Sequence, residues 1–236
     1  MAKLSAGSYD LNKWLHGGYE TGVITAFYGD AGTGKTNFCL MATVSQAKKG
    51  NKVIYIDTEG GFSSERIKQI VEFGDGKSEG ADFNDVLKNI LILKPTSFDE
   101  QKKSFDELLK NLKDHVSLII VDGMTMLYRL DLASAREKNN GELQGVNSEL
   151  ARQMRVLAEI ARKRDIAVLV TNQVYNKENV KQMVGGDILK YWSKCLIELN
   201  NDKGRRSAFL VKHRNLPPSS FSYQVWDGGV RKKGWL

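Results

Sequence analysis

Eight consecutive residues, Gly29-Asp30-Ala31-Gly32-Thr33-Gly34-Lys35-Thr36, place glycine, lysine and threonine at the spacing of a phosphate-gripping loop. Glycines let backbone N–H groups curl around phosphate oxygens without a Cβ in the way. Lys35 can reach the β- and γ-phosphates of a nucleoside triphosphate, and the Thr36 hydroxyl can ligate Mg²⁺. A nucleoside triphosphate and Mg²⁺ are therefore the expected ligands. A second group is Leu118-Ile119-Ile120-Val121-Asp122, an apolar run ending in a carboxylate that suits a magnesium-holding role. A third is Asp57-Thr58-Glu59-Gly60, where Glu59 can polarise the water that attacks a γ-phosphate and Asp57 better fits a structural loop-start acid. A fourth is Thr171-Asn172-Gln173, whose amide can hydrogen-bond a γ-phosphate and pass its presence to the chain that follows.

Such groups need elements to hold them. Short apolar runs at 23–28, 52–56, 90–93, 118–121 and 166–171 read as strands buried on both faces of a parallel sheet. The phosphate loop sits between the first of them and a helical stretch at 37–48, so an anion would meet a helix N-terminus. Residues 149–164 carry Leu150, Met154, Leu157, Ala158 and Ala161 on one helical stripe. Ser97-Phe98-Asp99-Glu100 reads as a capping box. Strand and helix in alternation predict an α/β core with a mostly parallel central sheet flanked by helices. Runs at 196–199, 207–211 and 221–225 lack long helices between them, which predicts an antiparallel C-terminal extension. Residues 74–84 and 130–147 read as long irregular stretches, a length often functional.

The chain has 236 residues, 41% apolar and 27% charged, enough for one packed core and unlike a disordered chain. No apolar stretch approaches the ~18–20 residues of a membrane span, and no signal peptide is legible at the N-terminus. Cys39 and Cys195 have no metal spacing, which fits buried thiols in a cytoplasmic protein. The net charge is +7, and residues 201–236, with eight basic side chains against two acids, account for six of those charges. A basic end favours a polyanion such as nucleic acid.

In their order, the phosphate loop, Tyr55-Ile56-Asp57-Thr58-Glu59-Gly60, residues 118–122, Tyr128-Arg129 and Val170-Thr171-Asn172-Gln173-Val174 resemble the core of the RecA/RadA recombinase family. Gly185-Gly186-Asp187-Ile188-Leu189 is similar to the segment closing that family's second DNA loop, and the likeness covers nearly the whole chain. It implies a single RecA-like ATPase core over residues 1–236. It makes Glu59 the catalytic glutamate, Gln173 the γ-phosphate sensor and Arg66 an arginine stacked on adenine. Arg136 and Lys138 would fall in the first DNA loop, Lys177 and Lys181 in the second, with Arg205 and Arg206 as further DNA contacts.

Three departures narrow the resemblance. The helical DNA-binding domain and the Phe-x-x-Ala linker of strand-exchange members have no counterpart before the core. Residues 174–184 form a shorter second loop. Lys212-His213-Arg214 stands where those enzymes have an acidic nucleotide cap. The combination is similar to archaeal paralogues of RadA. That implies an accessory protein of recombination and repair that binds ATP and single-stranded or branched DNA without sequence preference. It would hydrolyse ATP weakly, exchange no strands, and work with a RadA-like recombinase and a Holliday-junction resolvase, in the cytoplasm or on the nucleoid, as a homo-oligomer in one version. Lys212 and Arg214 also resemble a basic finger that KaiC-like relatives extend to the next subunit's γ-phosphate. The alternative is therefore a KaiC-like regulatory ATPase that acts by protein assembly without DNA.

Overall fold

The computed structural model describes residues 2–74, 82–113, 115–138, 142–177 and 180–234. The chain opens with β1 (Lys3–Leu4), α1 (Tyr9–Trp14) and β2 (Tyr19–Glu20). The phosphate loop joins β3 (Ile24–Gly29) to α2 (Lys35–Ala47), and β4 (Lys52–Asp57), α3 (Ser64–Phe73), α4 (Phe83–Leu87) and β5 (Ile90–Leu93) follow. Next come α5 (Phe98–Asn111), β6 (Val116–Asp122), α6 (Met126–Lys138) and α7 (Glu142–Arg164). β7 (Ala167–Lys177), β8 (Val180–Met183) and α8 (Gly186–Trp192) lead to β9 (Ser193–Asp202), β10 (Arg205–Lys212), β11 (Ser219–Trp226) and β12 (Gly229–Lys232).

One large sheet runs in the order β12-β11-β10-β9-β3-β7-β6-β4-β5. The five pairs from β9 to β5 are parallel, and β10, β11 and β12 are antiparallel. The predicted α/β core with a parallel centre and an antiparallel end is the observed one. The extension begins one strand later than the sequence suggests, because β9 lies parallel to β3.

Alternation along each central strand feeds two cores. Phe27, Val53, Tyr55, Leu118 and Ile120 point to the side covered by α1 to α4. Ala26, Ile54, Ile56, Ile119 and Val121 point to the side covered by α5 to α8. Helices on both faces leave these strands almost without polar residues, which is why they read as continuous apolar runs. Their carboxyl ends line up. Register pairs Asp57 with Asp122 and Gly29 with Gln173, so four groups scattered over the sequence meet at one rim.

Three expectations need correction. Residues 130–147 are not an irregular stretch: α6 and α7 occupy all of it that is described. Ala, Leu, Arg, Glu and Gln dominate there, and all are strong helix formers, so mixed polarity marked a half-exposed helix. Residues 174–184 are not an open loop, because β7 runs on to pair with β8, Tyr175 opposite Gln182. Of the loop expected at 74–84, residues 75–81 lie outside the described ones, and Asp82 caps α4. The capping box at α5 is half formed. The Ser97 hydroxyl accepts from the Glu100 N–H, while Glu100 reaches the N–H of Thr96 instead of Ser97.

Candidate active site

The phosphate loop ends at Gly34, the N-cap of α2, held at φ +100° with no side chain capping the helix. The first N–H groups of α2 are thus left for a ligand, and the left-handed φ favours glycine. Lys35 is buried, and its ammonium donates to the carbonyls of Gly29 and Asp30, each at 2.9 Å. Burial pulls its pKa down, while Glu59, Asp122 and Asp30 oppose that shift. A cation curled onto its own loop beside three acids is prepared to turn towards an arriving polyanion. The residues present fit a triphosphate: the uncapped N–H groups of α2 and the buried ammonium belong to one loop, and a Cβ on Gly32 of that loop would meet nothing within 4 Å.

Asp122 is gripped from two sides. Tyr55 Oη donates to one carboxylate oxygen at 2.8 Å and Thr171 Oγ1 to the other at 2.6 Å. Thr171 Oγ1 in turn accepts the Gly123 N–H at 2.7 Å. Burial, then the neighbouring Asp122, drives the Tyr55 phenol well above its ordinary pKa, so it stays a donor. A Cβ on Gly61 would stand 3.2 Å from Thr36 Oγ1 and 3.6 Å from an Asp122 oxygen, so both candidate magnesium ligands border one small space. Asp57 is spent otherwise: its carboxylate accepts the N–H groups of Gly61 and Phe62. That is the structural role its position suggested.

Glu59 lies at the mouth of this space. Its carboxylate accepts from Gln173 Nε2 at 3.1 Å. Although the residue is exposed overall, desolvation at the carboxyl pushes its pKa above the ordinary range, against the Gln173 bond. Gly123 is the floor beneath it, at φ +90°, where an added Cβ would come within 2.3 Å of Thr58 Oγ1 and 2.7 Å of Glu59 Cγ. Gly123→Ala is therefore expected to cost about 1–3 kcal/mol in backbone strain alone. It should lower the melting temperature by several degrees and reduce ATP turnover further than that loss explains, because Glu59 must move. Calorimetry beside a turnover assay checks both.

The other sequence candidates fall in several places. Lys181 Nζ pairs with Asp30 Oδ2 of the phosphate loop at 2.5 Å. Arg136 joins Tyr128, Tyr175 and Gln182 around a groove of about 710 Å³. The side chains of Lys138 and Lys177 lie outside the described residues. Arg205 pairs with Asp202 at the exposed β9–β10 turn, and Arg206 is half-buried. The Arg66 guanidinium donates to Asn37, to Gln69 and to the carbonyls of Trp226 and Asp227, stapling α3 to the β11–β12 turn. Lys212 donates to the carbonyls of Lys190 and Ser193 at the end of α8, and Arg214 lies 3.6 Å from buried Glu20. Both candidate finger cations are thus engaged within their own chain. Sequence reasoning missed Tyr55, Thr171 and Tyr223, whose hydroxyl donates to the Thr33 carbonyl at 2.6 Å. No spacing rule marks a hydroxyl that touches a motif from another strand.

A family model described as Rad51 matches residues 1–233. The chain is 38% identical over 230 residues to the DNA repair and recombination protein RadB of Methanosphaera stadtmanae, covering 93% of this chain and 92% of that protein. It is 41% identical over 218 residues to RadB of Methanobrevibacter smithii, covering 87% and 86%. A crystal structure of the RadB recombinase matches with a TM-score of 0.79 and 32% identity, over 98% of this chain and 100% of that one.

Proposed function

The chain belongs to the Rad51 family, on its archaeal RadB branch, and from that premise we propose an ATP-switched, DNA-binding accessory factor of recombination. Membership makes it a DNA repair and recombination protein with a nucleotide-binding fold. The finer reading takes residues 1–236 as one core that turns ATP over slowly, exchanges no strands itself, and assists a RadA-like recombinase and the processing of branched DNA, with a Holliday-junction resolvase as a second partner. The work is placed in the cytoplasm and on the nucleoid, where the DNA substrate lies; no described helix is long and apolar enough to cross a membrane.

The observation that carries this reading is the double tie between the phosphate site and the β7–β8 hairpin. Gln173 bonds Glu59, and Lys181 bonds Asp30. Phosphate charge arriving at the loop competes for Lys181 and for the Gln173 amide, so nucleotide state biases the hairpin that borders the Tyr175–Arg136 groove. Thr36 and Asp122 would hold Mg²⁺, which neutralises phosphate charge when bound. Lys35 and the N-terminus of α2 orient the triphosphate, and Glu59 accepts a proton from the attacking water. The regulatory alternative would require Lys212 to leave two carbonyls before reaching another subunit.

Filter binding of single-stranded DNA with and without ATP and Mg²⁺ tests the proposal. Affinity should change with nucleotide and fall steeply with salt, because contacts to phosphates release counterions. No binding, or binding indifferent to salt, overturns it.

A further inference from the structure

At the far edge of the sheet, α1 packs beside β11 and β12 over a groove of about 740 Å³. Its rings are Tyr9, 70% exposed, and Trp14, which stacks on Phe221 with centroids 5.3 Å apart and planes 21° from parallel. The indole N–H of Trp14 donates to Ser219 Oγ, fixing the ring's orientation. Three exposed lysines, Lys13, Lys232 and Lys233, border the same groove. The acid among them, Asp10, already accepts the Lys232 N–H. Sheet order puts five strand steps between β12 and β7, about 24 Å at ~4.8 Å per step, so this groove is separate from the β7–β8 hairpin.

We infer that this groove is a second nucleic-acid contact, which takes single-stranded polynucleotide by stacking bases on Tyr9 and Trp14 while Lys13, Lys232 and Lys233 neutralise its phosphates. The inference rests on the DNA-binding reading above and adds a site to it. Charge selects the occupant: three ammonium groups face one carboxylate that is already bonded. Aromatic planes beside cations are the sequence-tolerant means of holding unpaired bases, and the Trp14 plane is held in place by Ser219 and Phe221. Two of the eight basic residues of the C-terminal segment, Lys232 and Lys233, find a use here, whereas Arg205 is paired with Asp202 and Arg206 is half-buried.

The test is fluorescence anisotropy with labelled oligothymidylate across a salt series. A Lys13→Gln/Lys232→Gln/Lys233→Gln variant should show a log–log salt slope shallower by about 2, at ~0.7 per phosphate contact on single strands. A control variant with Lys68, Lys103 and Lys110 changed to Gln, all exposed on α3 and α5, should keep the wild-type slope. Tyr9→Ala, at an exposed ring the core does not need, should weaken binding by roughly 5- to 150-fold. Photocrosslinking with iodouracil-substituted DNA should label Tyr9 or Trp14. An unchanged slope in the first variant, or crosslinks confined to residues 174–184 in a wild type that binds, overturns the second site alone. A wild type that binds no DNA overturns this inference and the DNA-binding reading together. If the groove served an acidic protein segment instead, the lysine variant would bind DNA as wild type does, which also overturns it.

Discussion

Replacing Lys35 by Ala is expected to weaken ATP binding by about 100-fold or more. Charge-assisted hydrogen bonds are worth about 1.5–3 kcal/mol each, and two phosphates lose theirs together; tenfold in affinity is ~1.4 kcal/mol. The resting geometry says why the loss should be so large. The ammonium is buried, its pKa is lowered by that burial, and it is held by two carbonyls of the loop itself. Phosphate therefore meets a cation that is poorly solvated and has weaker partners than an oxyanion. Lys35→Met keeps the aliphatic stem and should bind as poorly as the alanine variant. Retained affinity in Lys35→Met would assign the effect to packing and remove the ammonium from the account. A thermal shift checks the result without a turnover assay, because a ligand that binds only the folded state raises its stability. ATP should raise the melting temperature of wild type and leave both variants unmoved.

The phosphate loop was legible because its chemistry is local. Every requirement, from the left-handed turn at Gly34 to the lysine after it, falls within eight residues. Asp122 was legible for a related reason: a strand buried on both faces announces its end by its first charged residue. On β4 that residue is Asp57, and Glu59 follows two positions later. The convergence of these groups on one rim followed from parallel strands, and register bears it out. What could not be read is what each long basic side chain touches. Lys181, Lys212, Arg66 and Arg214 looked alike as surface cations. Their partners, Asp30, the end of α8, the β11–β12 turn and Glu20, lie from 19 to 194 residues away in sequence, on elements whose packing no local pattern fixes. The helical stretch over 130–147 was misread for the opposite reason. Half-exposed helices dilute their apolar stripe with charge until only residue propensity remains as a signal.

The antiparallel extension does more than widen the sheet. Tyr223 of β11 donates to Thr33 within the phosphate loop, and its ring stacks on Phe221, with planes 8° apart, which in turn stacks on Trp14. On the other flank, Asp30 ties the same loop, and Glu59 the chain after β4, to the β7–β8 hairpin. The nucleotide site is therefore braced from both sides by elements that the sequence placed far from it.

Glu59→Gln should separate holding ATP from using it. Glutamine keeps the size of the side chain and can still meet the Gln173 amide, so nucleotide affinity should stay within a few-fold of wild type. It cannot take a proton from water, and a positioned general base contributes about 10²–10⁴ in rate, so turnover should fall by that order. The pH profile carries an independent signature. Desolvation raises the carboxyl of Glu59 and the Gln173 bond opposes it, leaving a net upward shift. A base works only when ionised, so wild-type turnover should climb with pH along a limb lying above the usual carboxylate range of ~4.3 and level off once Glu59 has lost its proton. The residual turnover of Glu59→Gln should lack that limb. Equal turnover in the two proteins, or the same acid limb in both, would mean that another group orients the water. Gln173→Ala offers the complementary case. Losing its amide removes the shift that opposes desolvation, so the limb should move to still higher pH while nucleotide binding persists.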